Sequence, residues 1–358
     1  MFTISYTIID RNARERMDNM AQEKRKEWGH LLIKNAISFV FNLVFVFIGS
    51  ALFGNQNILT IVALSVGFTM LPKCDLGIRP GSMFVIILFL FPLSGIIAQF
   101  ALLSPMIAFP VFFTFMLVLI LCTNEPMQLK PSMPFLLSFI FSEATAVPWE
   151  QFASRLLCLL VLGFLVALTT FISWKQKGYG KEGRCIREQM HLCHHNRSYM
   201  FRMAFGVSLA MTMGMIFHLI KPLWVSIVVM SLTQLEFQET VSRMKDRFIG
   251  TLLGTVIFFL FLQVLIPSKY AMVFILFLGY ISFFFSEYKH KQVINAVSAL
   301  NASLVLLDTK TAIMDRILYL LWGIALVLII YGMAQFLKYL KNKWEERDSY
   351  QRQKTAYS

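Results

Sequence analysis

The chain has little charge. Only 15% of its 358 residues are Asp, Glu, Lys or Arg, while 57% are hydrophobic. Soluble domains carry about 25% charged residues, so this chain lacks the polar surface that would keep it in water. It also lacks cysteine patterns. The five cysteines (Cys74, Cys122, Cys158, Cys185 and Cys193) include no C-x-x-C pair, which excludes a disulfide framework and standard zinc motifs. No G-x-x-x-x-G-K-[ST] loop is present, and Gly178-Tyr179-Gly180-Lys181 does not replace one. No H-E-x-x-H or G-x-S-x-G motif is present either. These absences argue against a P-loop ATPase, a zincin and an α/β-hydrolase, and no enzyme activity or cofactor is expected.

What is abundant is apolar and aromatic. There are 35 Phe, and several apolar runs approach the roughly 20 residues that span a bilayer. The first run begins near Leu31, behind a strongly charged segment. It is too long for a signal-peptide core and lacks a cleavage site. It reads as a retained membrane helix.

Breaking the chain at charges, Pro and Gly predicts about twelve transmembrane helices: 31–53, 57–72, 82–103, 106–123, 132–147, 152–174, 201–220, 222–236, 248–266, 269–286, 291–308 and 313–337. The runs at 57–72, 132–147 and 222–236 are short. The formal net charge of +13 sits in clusters between the runs, and no nucleic-acid motif accompanies it. With the N-terminus inside, 28 of the 33 Lys and Arg fall on the cytoplasmic side and 5 outside. That bias is the positive-inside rule. It predicts an all-α, multi-pass bacterial inner-membrane protein with both termini cytoplasmic.

The landmarks recur. Lys34 and Arg202 are 168 residues apart, and so are Arg79 and Arg247. Arg155 and Arg316, each followed by a Gly (Gly163, Gly323), are 161 apart. The spacing predicts two parallel six-helix repeats related by an axis along the membrane normal. The expected domains are a cytoplasmic segment 1–30, a first repeat 31–174, a linker 175–200, a second repeat 201–340 and a tail 341–358.

The second repeat carries a distinctive pattern. Arg202 opens it, Pro222-Leu223-Trp224 follows, then Asp246-Arg247-Phe248-Ile249-Gly250-Thr251-Leu252-Leu253-Gly254, and finally Asp315-Arg316 seven residues before Gly323. It resembles the fusaric acid resistance protein-like, or aromatic acid exporter, family. The resemblance is clear over about 197–340 and fainter over 31–174, where Arg79-Pro80-Gly81-Ser82 stands in place of the Arg-Phe-Ile-Gly step. It implies an inner-membrane efflux component for small aromatic or organic acids, working with a periplasmic membrane-fusion adaptor. The larger exporters have a sizeable cytoplasmic domain between the halves, and this chain has only a short joint.

Within the pattern, Gly250 and Gly254 share a helix face with Thr251 nearby, a helix-packing arrangement. Arg247 has two readings, an anchor or structural partner and a direct contact to an anionic substrate. Ionisable residues inside a bilayer cost about 2.5–3.5 kcal/mol each and need a reason. Glu143 stands in the fifth run, and Asn295, Ser298, Asn301, Ser303 and Asp308 stand in the matching run of the second half. The pair predicts a wet path at the repeat interface, with Glu143 and Asp308 as candidates for proton coupling. The competing reading puts Glu143 at the outer headgroups. Glu236 and Glu239 are expected to pair with Arg243, Lys245 or Arg247. His218 is expected at the outer interface, and Asn42, Gln99 and Gln263 in interhelical hydrogen bonds. His191, Cys193, His194 and His195 fit no standard metal pattern.

The sequence therefore supports a proton-driven exporter in the lipid bilayer, with a homo-oligomer as a further expectation. A non-transporting scaffold subunit of envelope assembly is the alternative. An intramembrane enzyme ranks last, because the ionisable residues are scattered.

Overall fold

The computed structural model describes the backbone of residues 2–101, 104–194, 196–285 and 287–356, and side chains within 28–344. The described residues form thirteen α-helices. The first half holds α1 (Phe2–Phe53), α2 (Ile58–Met70), α3 (Pro80–Ala101), α4 (Pro105–Thr123), α5 (Met133–Ala144) and α6 (Trp149–Lys177). A joint helix, α7 (Ile186–His194), follows. The second half holds α8 (Arg197–Ile216), α9 (Leu223–Leu232), α10 (Phe237–Ile257), α11 (Ala271–Ser282), α12 (Tyr288–Ser303) and α13 (Thr309–Ala356). A π-helical turn, Phe258–Leu265, extends α10.

All-helical architecture is what a bilayer permits for chains of this kind, because each backbone group is satisfied inside its own helix. Proline marks several starts. Pro80 and Pro105 stand at the first positions of α3 and α4, where a missing N–H is harmless. Gly178, with φ 73°, closes α6 in the left-handed region.

Among the described residues seven helices are long and apolar enough to cross a membrane, and the chain is read as a multi-pass membrane protein. This differs from the expected dozen full spans. α2, α5, α9, α11 and α12 have 13, 12, 10, 12 and 16 residues, below the roughly 20 needed for a crossing. In α12 the cause is polarity, with Lys289, His290, Lys291 and Gln292 in its first turns. The flanking segments continue the membrane helices next to them. α1 runs unbroken through residue 30, and α13 through residue 340.

The halves repeat some contacts. In each, the second helix packs on the first and on the sixth: α2 on α1 and α6, α9 on α8 and α13. The third and fifth also pair, α3 with α5 and α10 with α12. The difference lies in the third helix. α3 lies along α6, whereas α10 makes slight contact with α13 and lies along α12. One apolar core runs through the first half and takes in α8, α9 and α13. A separate small core of Phe258, Leu262, Val297, Leu300 and Ala312 serves α10 to α13.

The joint is fastened to the first half. Arg79 N donates to Arg184 O at 3.0 Å and Arg184 N to Gly77 O at 2.9 Å, a short parallel bridge. Gln189 donates to Glu125 O at 2.9 Å and Asn196 to Glu125 Oε1 at 2.6 Å. Gly180 is required here, since a Cβ would stand 2.1 Å from Ile78 O.

Candidate functional site

The site lies where the halves meet at their basic end. A cavity of about 560 Å³ opens between the loop before α5, the starts of α8 and α10 and the end of α9. Lys130, Tyr199, Gln234, Glu239, Arg243 and Tyr288 supply its polar lining, and Met133, Leu136, Met203 and Met230 its apolar floor. Methionine thioethers adapt to irregular apolar ligands.

The charged wall is mixed, with Lys130 and Arg243 facing Glu239 and Asp246. Lys130 Nζ donates to Gln234 Oε1 at 3.4 Å. Burial holds the Lys130 ammonium down to about 8, with Arg243 lowering it further and Glu239 opposing. Arg243 donates to Ser231 O at 3.4 Å and lies 4.9 Å from the Tyr288 ring centre.

Beneath them Arg247 is buried, at 3% exposure. It donates to Ser231 Oγ and to Tyr288 Oη, the latter at 2.9 Å. Tyr288 Oη donates to Ser231 Oγ at 3.2 Å. With its amide oxygen turned toward Arg247, Gln292 lies 3.2 Å from Nη1 and Nε. Arg247 thus ties α9, α10 and α12 together instead of reaching lipid phosphates. Gly250 and Gly254 allow this approach, because a Cβ at Gly250 would stand 2.8 Å from Gln292 Cβ and one at Gly254 2.6 Å from Ala296 Cβ. Thr251 is buried between them.

The remaining landmark arginines divide. Arg79 is exposed and donates to Gly183 O at 2.9 Å, holding the joint. Arg155 is buried and fully engaged. It donates to Asn57 Oδ1 at 2.8 Å, Gln56 O at 2.7 Å and Ser142 O at 3.0 Å. Arg316, also buried, stacks over Trp224 at 4.8 Å. Both sixth-helix arginines therefore meet the beginning of the second helix in their own half.

Glu143 is buried, at 4% exposure, and its Oε2 has no hydrogen-bond partner. Residues seven apart share a helix face, so Glu143 continues the face of α5 on which Leu136 lines the cavity. On α9, Ser226 continues the face of Met230 and Thr233, also cavity residues, and Ser226 Oγ is likewise buried without a partner. α5 and α9 are in contact. Of the two helices leading away from the cavity, α5 thus carries unpartnered Ser142 Oγ and Glu143 Oε2 and α9 unpartnered Ser226 Oγ, which is costly in an apolar interior unless water or a ligand serves them.

Other sequence candidates lie apart, except Glu239, which lines the cavity. Asn301 is half-buried in α12. Asp308 is exposed and accepts Thr311 N at 3.1 Å, capping α13, which holds its carboxyl below the usual value. Glu236 and Glu239 are exposed. The expected pairing fails, since neither forms an ion pair with Arg243, Lys245 or Arg247 among the described residues. Arg243 and Arg247 turn instead to Ser231 and Tyr288. Of the lone polar residues, Asn42 bonds within its own helix, to Ser38 O at 2.7 Å, while Gln99 reaches Val147 O at 2.8 Å and Gln263 accepts from Thr309 at 2.9 Å. No cluster able to hold a metal occurs among the described residues, and His195 lies outside them.

Sequence reading missed Lys130, Tyr199, Ser231, Gln234 and Tyr288. The usable signals were a lone lysine between two apolar runs and a tyrosine opening the polar α12.

Residues 196–330 match the family model described as fusaric acid resistance protein-like, the family that the Arg202 to Gly323 pattern resembles. Residues 31–174 lie outside the match. Comparisons with curated proteins and with solved structures find no match.

Proposed function

We propose that this protein is a proton-driven exporter of small aromatic or organic acids, captured with its substrate cavity open to the cytoplasm. The observation that carries the reading is the cavity between the halves at the basic end, where Lys130 and Arg243 stand with Tyr199 and Tyr288 above methionine side chains, a lining that suits a carboxylate on an apolar body. Parallel transporter repeats bind substrate at the repeat interface, and the cavity lies between the halves. The matched family is transport-related, and periplasmic adaptor docking is part of the same proposal.

The acid anion is held by Lys130 and Arg243 beside Tyr288, with Arg247 fixing Tyr288 from beneath. Glu143 takes a proton from the outer side, and the α10–α12 pair swings toward α9 and α13 as the substrate leaves. Return of the pair releases the proton inward. Neutralising Glu143 removes the cost of a charge in an apolar setting, so protonation favours the state in which the carboxylate is driest.

Efflux tests the reading. Cells with and without the protein are loaded with a panel of weak aromatic acids, and retained compound is followed with and without an uncoupler. Faster loss of one acid, abolished by the uncoupler, is expected. The Glu143→Gln variant is expected to lose that uncoupler-sensitive component while remaining in the membrane. Unchanged export and pH dependence in Glu143→Gln would remove the coupling role. No loss of any acid would favour the scaffold alternative.

A further inference from the structure

A second cavity, about 440 Å³, lies on the outer flank of the second half between α8 and α13. Phe201, Phe205, Ile330, Met333 and Leu337 make its apolar walls, and Arg197, Ser198 and Arg202 stand at one end. That end is the basic end of the bundle, because Arg197 opens α8. Lys338, next along α13, adds a further cation.

The groove is apolar along its length and cationic at its mouth, which is the polarity of one lipid molecule lying against the helices. Arg202 is held in place there. It donates to Ser198 Oγ at 2.9 Å, Leu235 O at 2.9 Å and Gln234 O at 3.2 Å, and it stacks on Tyr331 at 4.5 Å. Its Nε is buried without a partner. No carboxylate pairs with Arg197 or Arg202 among the described residues, so the mouth carries uncompensated positive charge.

We propose that this groove is a selective site for an anionic phospholipid, with the headgroup phosphate between Arg197 and Arg202 and an acyl chain along Phe201, Phe205 and Met333. Charge complementarity selects the occupant, since a zwitterionic lipid brings the same phosphate but also an ammonium group into a mouth that already holds uncompensated arginines, whereas an anionic lipid adds no cation. The site goes beyond export, because it holds whether or not the protein moves an acid. It touches the substrate cavity through Arg202, whose acceptors on Gln234 and Leu235 belong to that cavity's rim.

The test is lipid retention by the full chain. The protein is placed in phosphatidylcholine nanodiscs containing a minor fraction of phosphatidylglycerol, and lipid bound after detergent extraction is counted by native mass spectrometry. Phosphatidylglycerol is expected to be retained about tenfold over its share, from the attraction of basic side chains for anionic lipid. Arg197→Gln, an exposed position, is expected to remove most of that preference. Ala334→Trp, filling the groove, is expected to remove the bound lipid of either kind, with helicity and monodispersity unchanged. Equal retention of the two lipids by the native chain, or undiminished phosphatidylglycerol in both folded variants, would overturn the proposal.

Discussion

The two halves solve the same problem differently. In the first, the buried arginine of the sixth helix is spent on structure: Arg155 fastens Asn57, Gln56 and Ser142 with hydrogen bonds of 2.7–3.0 Å. In the second, Arg316 lies against the face of Trp224, and α10 has turned from α13 toward α12. The first half is a closed bundle on one continuous core. The second is split, with α10 and α12 sharing a small core of their own. A transporter needs one part that stays and one that moves, and packed cores switch between discrete arrangements instead of deforming smoothly. The contrast assigns those roles within the exporter reading.

The largest expected effect breaks the arginine comparison. Arg155→Met strips Asn57 Oδ1 and Ser142 O, both buried, and part-buried Gln56 O and Thr145 Oγ1 of a charged donor, and is expected to destabilise by roughly 4 kcal/mol. Arg316→Met loses a ring contact worth about 2 kcal/mol at most. Thermal unfolding of both variants in the same detergent checks this. Equal losses would mean that Arg316 is as structurally committed as Arg155.

A smaller effect sharpens the packing comparison. Gly254→Ala places a Cβ 2.6 Å from both Ala296 Cβ and Val293 O, against backbone that cannot retreat. It is expected to cost about 1–3 kcal/mol by overpacking and to loosen α10 from α12. Gly163→Ala meets Phe91 Cβ at 3.4 Å, an ordinary contact, and is expected to leave stability unchanged or slightly higher. Melting temperatures of the pair, with hydrogen exchange along α12, read the difference.

The smallest effect concerns the cavity where the halves join. Lys130 has a folded pKa of about 8, below its ordinary 10.5. Its charge therefore disfavours the folded state below about pH 8, and that penalty fades as pH rises toward 10.5. An anion in the cavity loses this cation over the same window. Binding of an anionic substrate is expected to weaken several-fold above pH 8, and Lys130→Gln to flatten that dependence. Affinity measured across pH 7–9.5 in both proteins decides it.

Much of the architecture was legible because lipid enforces simple rules. Apolar runs and clustered cations marked where helices would be, and the recurring Arg79, Arg155, Arg247 and Arg316 suggested two related halves. Helix lengths were less legible, since the polar first turns of α12 shorten what reads as one apolar run. The cavity was nearly invisible. Its residues come from five separated stretches, and Ser231, Gln234 and Tyr288 follow no period that sets them apart from ordinary polar residues at helix ends. Glu143 stood out because a lone carboxylate in an apolar run is conspicuous. Glu236 and Asp308 stood out for the same reason, yet they lie at helix termini, where an exposed acid is unremarkable.

Arg202 belongs to two chambers at once, its side chain at the mouth of the flank groove and its acceptors on the rim of the central cavity. Shared ownership makes the traffic between them symmetrical by thermodynamic necessity. Whatever factor an occupant of the groove imposes on affinity in the cavity, an occupant of the cavity must impose in return. The composition of the surrounding membrane then becomes a silent co-ligand, and affinities measured in two different membranes describe two different equilibria.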